Sequence, residues 1–239
     1  MSAPAGTSAE GELGAPRLHL RATTSTNDRA RELAGAGAPH GTLVTAGAQS
    51  AGRGRQGRSW SAPPGRALLC SLVIRSPGEL LSLAAGAAVA SVAGPDATIK
   101  WPNDVLVAER KVAGILVEGR PQEGWAVLGI GVNVAVRTED FPAELRARAG
   151  SLGLAPQAVE SILHDLLGAL ARWLPAPVED VLIAVRARDA LAGRALRWTG
   201  GSGRGAGIDA GGRLLVDTGE GHIALEAGEV HLEPEQESE

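Results

Sequence analysis

Hydrophobic and polar positions follow two spacings along this chain, and each spacing predicts a different kind of element. Short apolar runs bounded by Gly, Pro or polar residues are typical of strands. Apolar residues that recur every three or four positions are typical of helices packed on a core. Strands are predicted at residues 18–20, 42–46, 67–74, 99–101, 105–107, 114–118 and 125–133, and helices at 27–33, 79–92, 156–174 and 178–191. The strands from 99 to 133 follow one another across short turns, which predicts a largely antiparallel meander.

The pattern changes after Gly193. Short strands are predicted at 195–199, 213–217, 222–226 and 229–232, separated by Gly-rich turns, which is typical of a small all-β barrel or sandwich. The chain is therefore divided into a main domain at 16–191 and a second module at 192–234, with a disordered tail at 1–15 and an acidic tail at 235–239.

Composition limits the classes of function. The 239 residues are 44% hydrophobic, enough for one main domain and a smaller module. A net charge of -4 argues against unselective binding to nucleic acid or anionic membrane, and five Trp with one Phe are too few for a base-stacking platform. The single cysteine, Cys70, lies in an apolar run and is expected to be buried in the protein core. With no partner for a disulfide, it fits a reducing, cytoplasmic setting. Neither a signal peptide nor a membrane segment is expected.

The loop at 52–58 reads Gly-Arg-Gly-Arg-Gln-Gly-Arg and is followed by Trp60. Glycines let backbone N–H groups approach a ligand, and arginines at this density suit phosphate or carboxylate. A disordered RGG-like tract that binds RNA is the alternative. Because the loop is short and lies between two strands of an acidic protein, we favour an active-site lid that is mobile without ligand and ordered by it.

The only two lysines, Lys100 and Lys111, flank a turn with the sequence Lys-Trp-Pro-Asn-Asp at 100–104. Lys, Asn and Asp clustered at a strand end can hold a triphosphate and its Mg²⁺. An exposed polar turn is the simpler alternative. It is less favoured because every other basic residue of the chain is arginine, so the two lysines at this turn are unusual.

These motifs resemble those of biotin protein ligases, in the same order and approximate spacing. The resemblance covers Leu18 to Leu232 and rests on segments 25–27, 49, 52–58, 60, 100–104, 111–118 and 129–133. It implies an α+β fold with a mixed, mainly antiparallel sheet flanked by helices, related to class II aminoacyl-tRNA synthetases, and a C-terminal SH3-like β-barrel. It also implies an ATP-dependent, AMP-forming reaction that makes biotinyl-5'-AMP and transfers biotin to a lysine of a biotin carboxyl carrier protein.

Residue roles follow from the resemblance only where the motifs match. The implied biotin contacts are Ser25, Thr26, Asn27, Gln49, Arg53, Gly54, Arg55, Lys111, Gly114 and Ile115. The implied ATP contacts are Arg55, Arg58, Trp60, Lys100, Asn103 and Asn133, and the implied catalytic residues are Arg55, Arg58, Lys100, Asp104 and Lys111. Mg²⁺ is expected to arrive with ATP, and no separate protein metal site is predicted. Gln56 stands where the family also uses Arg.

The expected partner is the carrier domain of acetyl-CoA carboxylase or a related carboxylase, with no nucleic acid or membrane, and a homodimer is permitted. One alternative is a biotin-sensing repressor, but the roughly 17 residues before the first strand are too few for a helix-turn-helix module, so we expect the monofunctional type. A lipoate ligase or octanoyltransferase is the other alternative. Acyl transfer through cysteine would need an exposed thiolate, which the apolar surroundings of Cys70 disfavour.

Overall fold

The computed structural model describes residues 12–120, 123–226 and 228–232. The part of the predicted N-terminal tail at 1–11 and the acidic end from 233 lie outside the described residues. Residues 12–15 form a turn in which the Gly14 amide donates to the Gly41 carbonyl at 2.9 Å.

A seven-stranded mixed sheet forms the centre of the molecule. Its strands are β1 (Arg17–Leu20), β2 (Leu43–Ala46), β3 (Ala67–Arg75), β4 (Thr98–Lys100), β5 (Asp104–Val107), β6 (Arg110–Arg120) and β7 (Trp125–Asn133). They lie in the order β1-β2-β3-β7-β6-β5-β4, and only β1 and β2 run parallel. The predicted α+β class with a mainly antiparallel sheet is confirmed.

Helices cover the two faces of this sheet unequally. Helix α1 (Thr26–Gly35) packs on β2, β3 and β7, where Ala30 and Ala34 meet Val73 and Val127. On the opposite face α2 (Leu81–Ala93) packs on β5 and β6, and α3 (Val159–Trp173) and α4 (Val178–Arg186) pack on α2. The first face therefore keeps open space beyond α1, where side chains for chemistry can gather.

Helix α4 ends five residues before the predicted end at 191. The chain there pairs with the edge strand β4: the Ile99 amide donates to the Arg188 carbonyl at 2.6 Å, and the Ala190 amide donates to the Ile99 carbonyl at 3.0 Å. An extended backbone at 188–190 is needed for this pairing, so the helical spacing of apolar residues was misleading at its end.

The C-terminal sheet has one more strand than predicted. Its strands are β8 (Ala195–Trp198), β9 (Gly201–Ile208), β10 (Leu214–Thr218), β11 (Gly221–Leu225) and β12 (Val230–Leu232), in the antiparallel order β11-β10-β9-β8-β12. Strand β9 was read as a Gly-rich turn. Its glycines allow close contact, since a Cβ on Gly203 would lie 2.3 Å from the Asp217 carbonyl oxygen and one on Gly205 would lie 2.0 Å from that of Leu191. The sheet is open, so the predicted closed barrel is not confirmed.

Candidate functional site

The floor of the candidate site is the α1 face of β3, β7 and β6. Side chains alternate along strands, so Ser71, Gly129 and Leu116 form one row across the three strands, and Leu69, Gly131 and Gly114 form the next. The glycines let other residues lie directly on the sheet. A Cβ on Gly129 would lie 2.0 Å from Asn27 Oδ1, and one on Gly131 would lie 2.6 Å from the Trp60 ring.

A buried polar pocket lies over the first row, at the start of α1. Ser25, Thr26 and Asn27 are at most 4% exposed. Gln49 Oε1 accepts from the Thr26 amide at 2.7 Å and from its hydroxyl at 3.0 Å. The Ser71 hydroxyl lies 2.6 Å from Asn27 Oδ1 and 2.8 Å from Thr26 Oγ1. Ser25 directly precedes the helix but makes no side-chain cap, so its hydroxyl is not engaged at the helix end.

An ion-pair cluster borders this pocket. Arg53 Nη2 lies 2.7 Å from Asp28 Oδ1 and 2.9 Å from Glu118 Oε2. The same Glu118 oxygen accepts from Asn27 Nδ2 at 2.7 Å. The pocket and the first arginine of the loop therefore share one carboxylate.

The arginine loop forms a small hairpin above the second row. The Trp60 amide donates to the Gly52 carbonyl at 2.8 Å, and the Gly54 amide donates to that of Arg58 at 2.7 Å. A short 3₁₀ turn, Arg55–Gly57, closes it, with Gln56 in the left-handed region at a φ of 56°. The hairpin places Trp60 flat on Gly114 and Gly131, because neither glycine has a side chain to displace it.

Both lysines lie beside this hairpin. Lys111 Nζ lies 2.7 Å from Asp104 Oδ1 and 5.7 Å from the centre of the Trp60 ring. Lys100 is the cross-strand neighbour of Asp104 in the β4 and β5 hairpin. Burial lowers the pKa of Lys100, and the carboxylates of Asp104 and Glu229 oppose that effect. The turn thus brings two ammonium groups and one carboxylate together, as predicted.

The remaining arginines extend this positive region. Arg55 Nη1 donates to Asn103 Oδ1 at 3.3 Å, and burial lowers the pKa of Arg55 while Asp104 raises it. Arg58 Nη1 lies 2.6 Å from Oε1 of Glu229, a residue in the segment that joins β11 to β12 of the C-terminal sheet. Within the described parts of the chain, no carboxylate lies within ion-pairing distance of Arg55 or Lys100. An anionic ligand would find unneutralised cations here.

Buried polar atoms without partners also mark the site. Among the described residues there are five such side-chain atoms, and four belong to site residues: Arg53 Nε, Trp60 Nε1, Asp104 Oδ1 and Asn133 Oδ1. Asp104 Oδ1 is the atom beside the Lys111 ammonium, so these two groups form an ion pair without hydrogen-bond geometry. Asn133, at the end of β7, donates through Nδ2 to the Gly150 carbonyl at 2.9 Å and leaves its oxygen unpaired. Buried polar atoms are normally paired, so these atoms indicate a polar ligand.

Two predicted contact residues are placed differently from the rest. The Ile115 side chain lies on the opposite face of the sheet, in the core beside α2, so only its backbone can face the pocket. The Asn103 side chain donates to the Ile115 carbonyl at 2.9 Å and is partly committed to holding β6. All other predicted biotin and nucleotide residues lie on the α1 face or at its edge.

Sequence reasoning missed four residues of the site: Asp28, Ser71, Glu118 and Glu229. Ser71 is fully buried within an otherwise apolar strand, and a polar residue in such a run is a usable signal. Glu118 ends the motif that begins at Lys111. Glu229 comes from the separate C-terminal sheet, and its position could not be read from local sequence.

Other features of the described residues place limits on the chemistry. No group of three or more His, Cys, Asp and Glu side chains there could hold a metal ion by itself. Within the same residues, no helix is long and apolar enough to cross a bilayer. Cys70 is buried, and burial raises the pKa of its thiol to about 12, so it is a poor nucleophile. A cavity of about 510 Å³ bounded by Arg66, Arg110, Arg137 and Phe141 is also lined by Gly150, whose carbonyl accepts from Asn133 Nδ2, so the cavity adjoins this end of the site.

Comparison with known proteins identifies the family. The model of the biotin/lipoate A/B protein ligase family matches residues 20–134. The chain is 33% identical over 234 residues to the biotin--[acetyl-CoA-carboxylase] ligase of Mycobacterium tuberculosis, covering 88% of this chain and 86% of that protein. It is 39% identical over 155 residues to the bifunctional ligase/repressor BirA of Bacillus spizizenii, covering 60% of this chain and 48% of that relative, about half its length.

A solved structure agrees with these relatives. The biotin protein ligase of Aquifex aeolicus, in complex with biotin and ATP, superposes with a TM-score of 0.76 at 26% identity, covering 91% of this chain and 98% of that one. The motifs, the polar pocket and the lysine turn thus lie in a chain whose Mycobacterium tuberculosis relative and structural neighbour are both named as biotin ligases. The chain belongs to the biotin protein ligase family.

Proposed function

We infer that the chain is a biotin protein ligase that joins biotin to ATP and then passes biotin to a protein lysine. The observation that carries this inference is the division of one sheet face into two halves. A neutral, hydrogen-bonding pocket at Ser25 to Asn27 lies beside a cluster of four cations, Arg55, Arg58, Lys100 and Lys111. Biotin has a neutral polar ring and an anionic tail, and ATP is an anion, so the two halves suit the two substrates.

In the first step an oxygen of the biotin carboxylate attacks the α-phosphorus of ATP, forming the acyl-phosphate bond and releasing pyrophosphate. Both reactants are anions, so cations must bring them together. Lys111 lies beside Trp60 and Asp104 and is the proposed partner of the carboxylate. Arg55, Arg58 and Lys100 are the proposed phosphate contacts, and Trp60 and Asn133 face the base. No general base is required, because the carboxylate is already ionised at neutral pH.

In the second step the amine of the acceptor lysine attacks the acyl carbon of the adenylate, and AMP leaves. The amine must lose one proton. Asp104 is the proposed acceptor or orienting group, since its Oδ1 is buried beside Lys111 and has no hydrogen-bond donor of its own. The proposed role of the loop is to exclude water from the mixed anhydride until the acceptor arrives.

ATP enters such a site as its Mg²⁺ complex in our proposal. Protein sites for Mg²⁺ commonly supply one or two carboxylates and leave the remaining positions to phosphates and water. The Asp104 carboxylate, with its unpartnered buried oxygen, fits that pattern. Bound Mg²⁺ would offset phosphate charge during the attack.

The proposed acceptor is a biotin carboxyl carrier domain of acetyl-CoA carboxylase or of a related carboxylase. In support, the Mycobacterium tuberculosis relative is named as a ligase of acetyl-CoA carboxylase. We also propose residues 16–191 as the catalytic domain and 192–234 as an SH3-like module, supported by the five-stranded sheet that begins at Ala195. A cytoplasmic setting and the absence of a nucleic-acid or membrane partner are also parts of the proposal, and a homodimer is permitted.

Lipoate ligase or octanoyltransferase activity is disfavoured. The relatives named as biotin ligases and the solved complex with biotin and ATP favour the biotin reaction. A transferase that uses cysteine would also need a reactive thiol, whereas Cys70 is 1% exposed and raised in pKa.

Biotin-dependent exchange of labelled pyrophosphate into ATP tests the first step. Exchange is expected with biotin and absent without it, and lipoate or octanoate in place of biotin should give background counts. Exchange that depends on lipoate and not on biotin would overturn the proposed substrate.

A further inference from the structure

One carboxylate oxygen of Glu118 connects two residues of the biotin pocket. Glu118 Oε2 accepts from Asn27 Nδ2 at 2.7 Å and from Arg53 Nη2 at 2.9 Å. The residue lies on β6, on the same face as Gly114, and its side chain is 26% exposed. Hydrogen bonds to a charged acceptor are stronger than neutral ones, so the carboxylate restrains both partners.

The first restraint fixes the orientation of the Asn27 amide. A carboxylate only accepts hydrogen bonds, so the Asn27 nitrogen must face Glu118 and its oxygen must face the other way. There Asn27 Oδ1 lies over Gly129, 2.6 Å from the Ser71 hydroxyl. A carbonyl oxygen has two lone pairs, and within the described chain only the Ser71 hydroxyl donates to this one. The second lone pair is an acceptor for a ligand N–H.

The second restraint fixes Arg53. Its Nη2 is held by Glu118 and by Asp28, which lies 2.7 Å away on α1. Its Nε is buried and has no partner among the described residues. A guanidinium is planar and rigid, so holding one end of it sets the direction of the Nε donor.

We propose that Glu118, assisted by Asp28, is a positioning residue that makes the pocket selective for an acid carrying a cyclic urea. This inference rests on the proposed biotin ligase function. A urea ring offers two N–H donors and one carbonyl acceptor. The fixed Asn27 oxygen accepts a urea N–H, and the fixed Arg53 Nε donates to an oxygen of the ligand. Dithiolane and alkyl acids have no N–H for the Asn27 acceptor, so they leave its second lone pair without a donor and bind weakly.

The test compares Glu118→Gln with Glu32→Gln by calorimetry of biotin binding in the absence of ATP. Glu32 is the matched control because it belongs to an exposed ion pair with Arg29 on the outer side of α1. Glu118→Gln is expected to weaken biotin and desthiobiotin, which share the urea ring, by about tenfold each, since both amide orientations of Asn27 become accessible. Glu32→Gln should bind both as the wild type does.

Steady-state kinetics and thermal unfolding separate positioning from a merely structural role. In Glu118→Gln the KM for biotin should rise about tenfold, while kcat, the KM for ATP and the Tm stay close to wild type. Unchanged biotin affinity would overturn the inference. So would a weakening of ATP binding as large as that of biotin binding, accompanied by a lower Tm. If Glu118→Gln does not fold, Asp28→Asn replaces it: about threefold weaker biotin binding supports the inference, and unchanged binding overturns it. A wild-type chain that binds no biotin would instead refute the proposed function.

Discussion

At the scale of single residues, two strand glycines decide what can lie on the sheet. Gly129 and Gly131 occupy neighbouring rows of β7, under Asn27 and Trp60 respectively. Any side chain at either position would occupy the space of a polar pocket residue or of the indole. The site therefore depends on glycines that leave space for these residues, as well as on the charged side chains.

Gly129→Ala should weaken biotin binding with little effect on nucleotide binding. The added Cβ would lie 2.0 Å from Asn27 Oδ1, so the amide must move. Overpacking of this kind costs about 1–3 kcal/mol, which predicts biotin affinity lower by roughly one to two orders of magnitude. Gly119→Ala on β6 is the control, since its Cβ would meet no described atom closer than 3.5 Å. Equal biotin affinity in the two variants, measured by calorimetry, would contradict this account of the floor.

Lys111→Ala should slow adenylation on the order of 10²-fold or more, because it removes a charge that stabilises two approaching anions. Arg120→Ala on the same strand is the control, since Arg120 belongs to an exposed pair with Glu123. Pyrophosphate exchange measures both variants. Near-normal exchange in Lys111→Ala would exclude Lys111 from the mechanism.

At the scale of elements, the sequence predicted the parts whose signal is local. The strands of the main sheet follow from short apolar runs, and helix α3 follows from apolar spacing. Helix α1 follows from the polar residues before it and the glycines after it, and α2 from its length and its Ala and Leu content. The arginine loop and the lysine turn follow from their unusual composition. Strand β9 was missed because its glycines are required by close contacts with the backbone of Asp217 and Leu191, which local sequence does not reveal. Helix α4 was predicted too long because pairing with β4 overrides its helical pattern. Glu229 was missed because its partner, Arg58, lies 171 positions away along the chain.

The arginine hairpin is attached at both ends, to α1 and β6 through Arg53 and to the C-terminal sheet through Arg58. Glu229→Gln should weaken the second attachment and make the loop at 52–58 more sensitive to limited proteolysis without ligand. Biotin with ATP should protect the loop in both proteins, because the adenylate orders it. Glu220→Gln, an exposed change on the same sheet, is the control. Cleavage at equal rates with and without ligand would argue against an adenylate-ordered loop.

At the scale of the whole molecule, the C-terminal sheet is packed against the main domain. Leu196, Leu214 and Val230 belong to the same hydrophobic core as α2. The Trp101 indole donates to the Gly212 carbonyl at 3.0 Å, which connects the lysine turn to the second sheet. Through Glu229 that sheet also contributes a charge to the site. Stability of the second sheet and integrity of the site are thus coupled.

Asp189 lies at the junction between the two sheets and gives the molecule a pH-dependent stability. Burial raises the pKa of Asp189, although the amides of Leu191 and Ala192 oppose this effect. A carboxyl whose pKa is raised by folding destabilises the native state when ionised. This penalty decreases as the pH falls below the native-state pKa and is gone below the unfolded-state pKa. Asp189→Asn should therefore raise the free energy of unfolding at about pH 7.5, on the order of 1 kcal/mol, and raise it less at about pH 4. A larger gain at the lower pH, measured by chemical denaturation, would contradict the sign.

We propose that one face of the sheet makes and holds biotinyl-5'-AMP. The most direct test is to incubate the protein with biotin and Mg-ATP, remove free ligand, and analyse the bound small molecules by mass spectrometry. We expect biotinyl-5'-AMP, formed only when both substrates are present and strongly reduced in Lys111→Ala. Recovery of unreacted biotin and ATP from the wild-type protein, with no adenylate, would contradict it.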